Sequence, residues 1–279
     1  MKTTLGNNTR PPSLRSVEQF TVNILGKNYT FMAWGNSHAI KATSKKSAID
    51  QDVENKKIDH DISKYVYEKN IFENLVHPNL ILADGEEPPK SSFINTYLFL
   101  EMYGVSRGTT IDVLYQCPNC FDEEKQNYSN FKFSLSEDIH LDDLEEYTKG
   151  RTFEIETTSK HNILFAFGEM SDYDLHSKVY EKRYDLTKDD ASRLGLEYYF
   201  SWIEYIEVDG EKFYMTTEDL TQYVMDELSE DEFSLVISKI TEVMPKIRYR
   251  KEDVICDQCG DKSIFETHSL PDFSLLVIY

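Results

Sequence analysis

The chain lacks most features that announce membrane residence or enzyme chemistry. No stretch approaches the roughly 18–20 consecutive apolar residues of a membrane span. The first twenty residues, MKTTLGNNTRPPSLRSVEQF, have no apolar core of the secretory kind, so a cytoplasmic protein is expected. Glycine is scarce, at 11 of 279 residues, and no Walker loop, Gly-x-Gly-x-x-Gly or Gly-x-Ser-x-Gly occurs, which removes the usual phosphate-cradling and nucleophile-elbow signatures. The seven histidines share no short motif with one another or with cysteine. No catalytic residue, cofactor-binding residue or small-molecule substrate is therefore expected.

Positive charge is also short: 30 Lys and Arg stand against 50 Asp and Glu, for a net charge of −20. A surface of that sign repels the phosphate backbone, which argues against nucleic acid as a partner of the fold's body. Residues 1–50 are the exception, with a balance of +5 that leaves −25 on the remainder. Such a segment either pairs with its own acidic body or reaches an acidic partner. The acidic run EDIHLDDLEE lacks the Asp-x-Asp-x-Asp-Gly order of a calcium loop and reads as a solvated helix start.

Cysteine is scarcest of all, yet its placement is ordered. The only four thiols form two Cys-x-x-Cys pairs, Cys117/Cys120 and Cys256/Cys259, separated by 135 residues. In a reducing compartment such pairs point to a metal rather than to disulfides. Four thiolates satisfy a tetrahedral Zn²⁺, and two intervening residues let one tight turn aim both sulfurs at one ion. β-prone runs flank both pairs: TTIDVLYQ and NYSNFKFSL around the first, IRYRKEDVI and KSIFETHSL around the second. Two such hairpins facing each other across a single zinc make a zinc ribbon around a large inserted segment. Four thiolates close the coordination sphere, so the ion, one Zn²⁺ per chain, is structural rather than catalytic. A redox pair is the competing reading, but neither motif opens a helix after a strand as a thioredoxin-like site does.

The rest is globular in composition, with 40% hydrophobic residues and 13% aromatics. VEQFTVNILGKNYTFMAW reads as a hairpin with Gly26 and Asn28 in its turn, and the Lys/Ser-rich residues 36–57 as a linker or weak helix. Apolar residues from Ile58 to Val76 fall at helical spacing. SSFINTYLFLEMYGVSRG reads as a second helix, capped at Ser91 or Ser92 and closing near Gly104. RTFEIETTSKHNILFAF gives two strands; helices follow over 172–184 and 189–206, the second with aromatics that suit a core, an interface or a ligand pocket, core packing being the commonest use. IEVDGEKFYM is an Asp-Gly hairpin. Two capped helices follow, one after Thr217 and one behind a Ser229/Glu232 capping box. The expected fold is α+β, divided into a flexible arm (1–16), an N-terminal hairpin and helix (17–90), a helix with the first zinc hairpin (91–140), a mixed helical insertion (141–245), and the second zinc hairpin with a C-terminal tail (246–279).

The last third, YIEVDGEKFYMTTEDLTQYVMDELSEDEFSLVISKITEVMPKIRYRKEDVICDQCGDKSIFETHSLPDF, has an order of elements that resembles the baseplate hub assembly proteins, or baseplate chaperones, of contractile-tailed bacteriophages. The resemblance rests on Met244-Pro245-Lys246, Cys256, Cys259, Gly260, Leu270 and Phe273, and upstream on INTYLFLEMYGVSRG followed by a Cys-Pro-x-Cys knuckle. It implies a non-enzymatic assembly factor that contacts the baseplate hub or other tail proteins in the host cytoplasm. The alternatives are a permanent component of the virion tail and, from another class, a zinc-ribbon adaptor that reaches nucleic acid through the basic N-terminal residues.

Overall fold

The computed structural model describes residues 18–122, 124–125, 128–142 and 150–267. The chain enters through a hairpin, β1 (Gln19–Ile24) and β2 (Lys27–Met32), in continuous antiparallel register. Its two-residue turn is Leu25-Gly26, both with positive φ, at 50° and 82°. That geometry matches the twist of the flanking strands. Asn28, expected in the turn, instead lies in β2, where its side chain accepts from the Asn23 amide at 2.8 Å.

The Lys/Ser-rich stretch is a full helix, α1 (Asn36–Glu54), that buries only Ala39, Ala42 and Ile49. Helix α2 (His60–Ile71) follows, its start capped by the Asp59 side chain. Beyond Ile71 the backbone loosens into a π turn over Phe72–Val76 and a 3₁₀ turn over His77–Asn79 before the short β3 (Leu80–Ile81). Buried asparagines hold this irregular turn: Asn74 donates to the Asn70 carbonyl and Asn79 to the Leu75 carbonyl. β3 adds to β2, completing a sheet in the order β1-β2-β3.

Ser91 caps α3 (Ser92–Arg107). Gly104 lies inside this helix; the break comes at Gly108, whose φ of 108° a side-chain-bearing residue avoids. The first cysteine hairpin follows, β4 (Thr110–Tyr115) and β5 (Ser129–Ser134), then β6 (Ile139–Asp142). The start of the acidic run is thus a strand rather than a helix, because it pairs with a distant edge.

β7 (Thr152–Glu156) and β8 (Asn162–Phe167) form the expected strand pair. Helices α4 (Tyr173–Lys182) and α5 (Lys188–Phe200) come next. The helix expected over 189–206 stops at Phe200, and Ile203–Val208 is instead a strand, β9, paired with β8. The Gly168 N–H donates to the Trp202 carbonyl at 2.9 Å, and a Cβ at Gly168 would meet the Glu204 Cβ at 2.8 Å. Only glycine permits that approach. β10 (Glu211–Phe213) closes the Asp209-Gly210 turn, both residues at positive φ as expected. The resulting sheet runs β10-β9-β8-β7.

Helices α6 (Thr217–Glu227) and α7 (Glu230–Val243) lead to the last hairpin, β11 (Lys246–Ile255) and β12 (Lys262–Thr267). The α6 cap is Thr216, one residue earlier than expected, and α7 has the expected Ser229/Glu232 box. The architecture is α+β. One hydrophobic cluster runs from Ile24 through Phe99, Phe133, Phe165, Trp202 and Ile240 to Cys256. A smaller one joins Ile49, Ile58, Ile62, Val66, Leu175, Val179 and Leu194 among α1, α2, α4 and α5.

Candidate metal centre

Strand alternation places the first pair of sulfurs. On β4, Ile111, Val113 and Tyr115 face inward, and Cys117, at the next odd position, is 1% exposed. The Phe121 N–H donates to the Cys117 carbonyl at 3.0 Å, closing the knuckle that brings Cys120 back.

The second hairpin solves the same problem differently. Early in β11 the odd residues Ile247 and Tyr249 are buried; after the register shift between Lys251 and Val254, the even residues Val254 and Cys256 are buried. This bulge, with Asp253 at φ 55°, reverses which face each side chain joins. Cys256 reaches the interior, 1% exposed, because of it. The second knuckle closes with Gly260 N–H to the Cys256 carbonyl and Cys256 N–H to the Asp261 carbonyl, both at 2.9 Å.

The hairpins are joined by rings. Phe131 contacts Phe265 at 5.0 Å between centroids, and Phe133 contacts both Tyr249 and Phe265 at 6.3 Å. β11 also recruits β6 along its opposite edge, giving a sheet in the order β12-β11-β6. Above this aromatic seam the four Sγ atoms lie within 4.8 Å of one another. Cys117 is 3.8 Å from Cys259, and Cys120 is 3.5 Å from Cys256. Four thiolates at a Zn–S bond of about 2.3 Å would stand about 3.8 Å apart along the edges of a regular tetrahedron. No disulfide joins these four cysteines, and the Sγ separations of 3.5 and 3.8 Å are well beyond an S–S bond of about 2.0 Å. The donor set, spacing and burial fit a metal ion.

Sequence reasoning missed Ser129, fully buried at the start of β5. Its Oγ lies 2.8 Å from Cys256 Sγ and 2.6 Å from Asp257 Oδ1, so the first hairpin reaches a ligand of the second. The Ser129 hydroxyl, then the Cys259 and Gln258 backbone amides, hold the Cys256 thiol down at about 6 against its burial. Cys120 is pushed up because it shares a proton with Cys256, burial adding to the effect. The Asn119 amide donates to Asp261, a further bond between the knuckles. The only signal for Ser129 was its place at the head of the strand leaving the first knuckle.

A second polar cluster was invisible in the sequence. His176 is 1% exposed, its Nε2 2.7 Å from Glu68 Oε2 and its Nδ1 3.0 Å from the Asp172 carbonyl. The Asp172 carboxylate, fully buried, accepts from the Ser92 N–H at 2.7 Å. Burial alone would depress His176, but the Glu68 bond and the Asp172 charge carry it up to about 9. Burial raises Asp172. Tyr65 and Phe72 pack their rings on the imidazole. This cluster fastens α4 to α2 and to the start of α3. His268, which from its place near the second knuckle reads as either a surface histidine or a residue orienting a zinc ligand, lies outside the described residues, as do Leu270 and Phe273.

Among the described residues no helix is long and apolar enough to cross a membrane. Searches of curated proteins and of solved structures return no match. A family model does match, that of the T4 bacteriophage base plate protein, over residues 47–273, a span that includes both cysteine hairpins and everything between them.

Proposed function

The chain belongs to the T4 bacteriophage base plate protein family, and from that premise we propose that it is a zinc-stapled assembly factor for the baseplate hub. Membership places its role in the baseplate, as a structural or assembly component, among other tail proteins. Proteins of this family are typically structural rather than enzymatic, and a closed four-thiolate site supplies no open coordination position for chemistry. Cys117, Cys120, Cys256 and Cys259 are its zinc ligands, one ion per chain. The ion joins segments 135 residues apart in sequence, so the insertion between them is presented in one fixed orientation. Ordering that surface before docking lowers the cost of association, and the net charge of −20 keeps the free factor soluble until a complementary partner arrives.

The observation that carries this reading is the family match spanning both hairpins together with the four-sulfur cluster inside it. The family description itself favours a second reading, a permanent component of the mature tail. Quantitative proteomics separates them: an assembly factor is abundant in infected-cell extracts and on tail intermediates but absent from purified particles, whereas a fixed stoichiometry in mature particles establishes the permanent component and removes the transient role.

A further inference from the structure

We propose that β1 is a dimerisation edge, pairing antiparallel with β1 of a second copy of this chain. Among the described residues β1 pairs only with β2, so one side of its backbone is open. Proteins ordinarily blunt such edges with charge, proline, a bulge or short length. The other edge strands among the described residues follow that rule: β4 carries Asp112, β5 Lys132, β7 Glu154 and Glu156, and β12 Lys262 and Glu266, while β3, β10 and β6 have two, three and four residues. β1 does not. Its sequence is QFTVNI, six residues in unbroken register with no charge and no proline.

The face beside this edge is equally neutral. Gln19, Thr21 and Asn23 stand opposite Met32, Thr30 and Asn28 on the outward side, with Thr21 and Thr30 hydroxyls 3.1 Å apart. In a chain of net charge −20, two copies repel wherever their acidic surfaces meet. A charge-free edge is where they can approach.

Register selects the pairing. In a hairpin with a two-residue turn, Ile24 and Lys27 form the first hydrogen-bonded pair, so Val22 and Phe20 also bond to β2. Gln19, Thr21 and Asn23 then direct their backbone groups to the open side. A symmetric pair using those groups centres on Thr21 against Thr21 of the second copy. It sets Phe20 against Val22 and Gln19 against Asn23, apolar with apolar and polar with polar. The partly buried Phe20, stacked on Phe31 at 5.9 Å, would continue its core side across the dimer axis. The edge lies outside residues 47–273, so the proposal is independent of the family assignment.

The test uses the full chain in sedimentation velocity over a concentration series. The expected result is a weak, concentration-dependent dimer. Thr21→Pro removes an N–H that does not bond to β2 and should abolish the dimer with an unchanged circular dichroism spectrum, while Thr21→Ser retains it. Thr21→Cys supplies a second measurement, because directly opposed residues about 5.5 Å apart between Cα atoms suit a disulfide. It should cross-link between copies under mild oxidation, whereas Asn23→Cys and the unaltered chain should not. A monomer at every concentration, as when residues 1–17 cover the edge instead, overturns the proposal. So does a dimer indifferent to Thr21→Pro, or cross-linking equal at positions 21 and 23.

Discussion

The cysteine hairpins and the helical cluster around His176 are both fastened by polar groups far apart in sequence, but they are fastened differently. Cys120 and Cys256 meet across 136 positions, and Glu68 and His176 across 108. At the hairpins, a short aromatic seam leaves four sulfurs gathered near the surface, with Cys259 exposed. In the helices, the charged groups sit inside an apolar shell of Tyr65, Phe72 and the residues around Val66 and Val179. On the zinc reading, the first region owes its shape to an ion that can be removed. The second owes its shape to packing that forces charges together. Loss of metal should therefore loosen the hairpins while leaving the helices in place.

The largest effect expected breaks the hairpin side. Cys256→Ser should abolish stoichiometric zinc, measured by mass spectrometry of the metal, and lower stability by at least several kcal/mol in denaturant titration. Deleting Asp253 should do the same with all four cysteines intact, because without the bulge Cys256 turns to the outer face. Asp253→Gly, compatible with φ 55°, should retain the metal. A deletion variant that still binds one zinc would show that the bulge does not set the centre.

The helical side should respond next. Replacing His176 by Leu leaves Asp172 buried without its cation, and breaking a buried pair in this way costs about 3–5 kcal/mol. The zinc content should not change, which separates the two regions. Their pH responses should differ as well. His176 is raised to about 9 from an ordinary value near 6.5, so its stabilisation is complete below about 6.5 and lost as pH rises through about 9. Asp172 acts in the same sense, beginning at lower pH. Its pKa is raised by burial, so ionising it costs stability above the ordinary carboxylate range. Melting temperature should thus fall between pH 7 and 10 in the parent chain and less so in His176→Leu.

Ser129→Ala sharpens the comparison, because it removes the hydroxyl by which one hairpin touches a ligand of the other. Losing such an outer contact should weaken zinc about 10–100-fold in a chelator competition, with all four sulfurs still bound. An unchanged affinity would make Ser129 a packing residue only.

What the sequence disclosed divides along the same line. The cysteine pairs, the Asp209-Gly210 turn and the Ser229/Glu232 box are local motifs whose residues carry their own instructions, and each took its expected form or place. Ile203–Ile206, the head of β9, was read as the end of a helix because an aromatic, mostly apolar run satisfies either period; pairing with β8 makes it strand, where Gly168 approaches Trp202 from 34 positions away. Residues 36–57 were read as a linker or weak helix because the stretch is polar and Lys/Ser-rich; the helix that forms buries only Ala39, Ala42 and Ile49. β6 pairs with β11 across more than a hundred residues, and its acidic sequence gives no hint of a strand. The Glu68–His176 contact has no motif at all.

The smallest effect expected lies at the start of α7, a helix that packs on α5 and ends at Val243, shortly before β11 begins at Lys246. Glu232 accepts from the Ser229 N–H at 2.7 Å and from the Thr158 N–H at 2.5 Å, in the loop between β7 and β8. Those backbone bonds, with the Ser229 hydroxyl, hold its carboxyl at about 2. The stabilisation is present above the ordinary value near 4.3 and lost as pH falls through about 2. Ser229→Ala removes one half of the reciprocal cap at a cost of about 1 kcal/mol, with zinc binding intact. If this substitution instead released the metal, α7 would be transmitting its cap to the cysteine hairpins, and the two regions would be one cooperative unit.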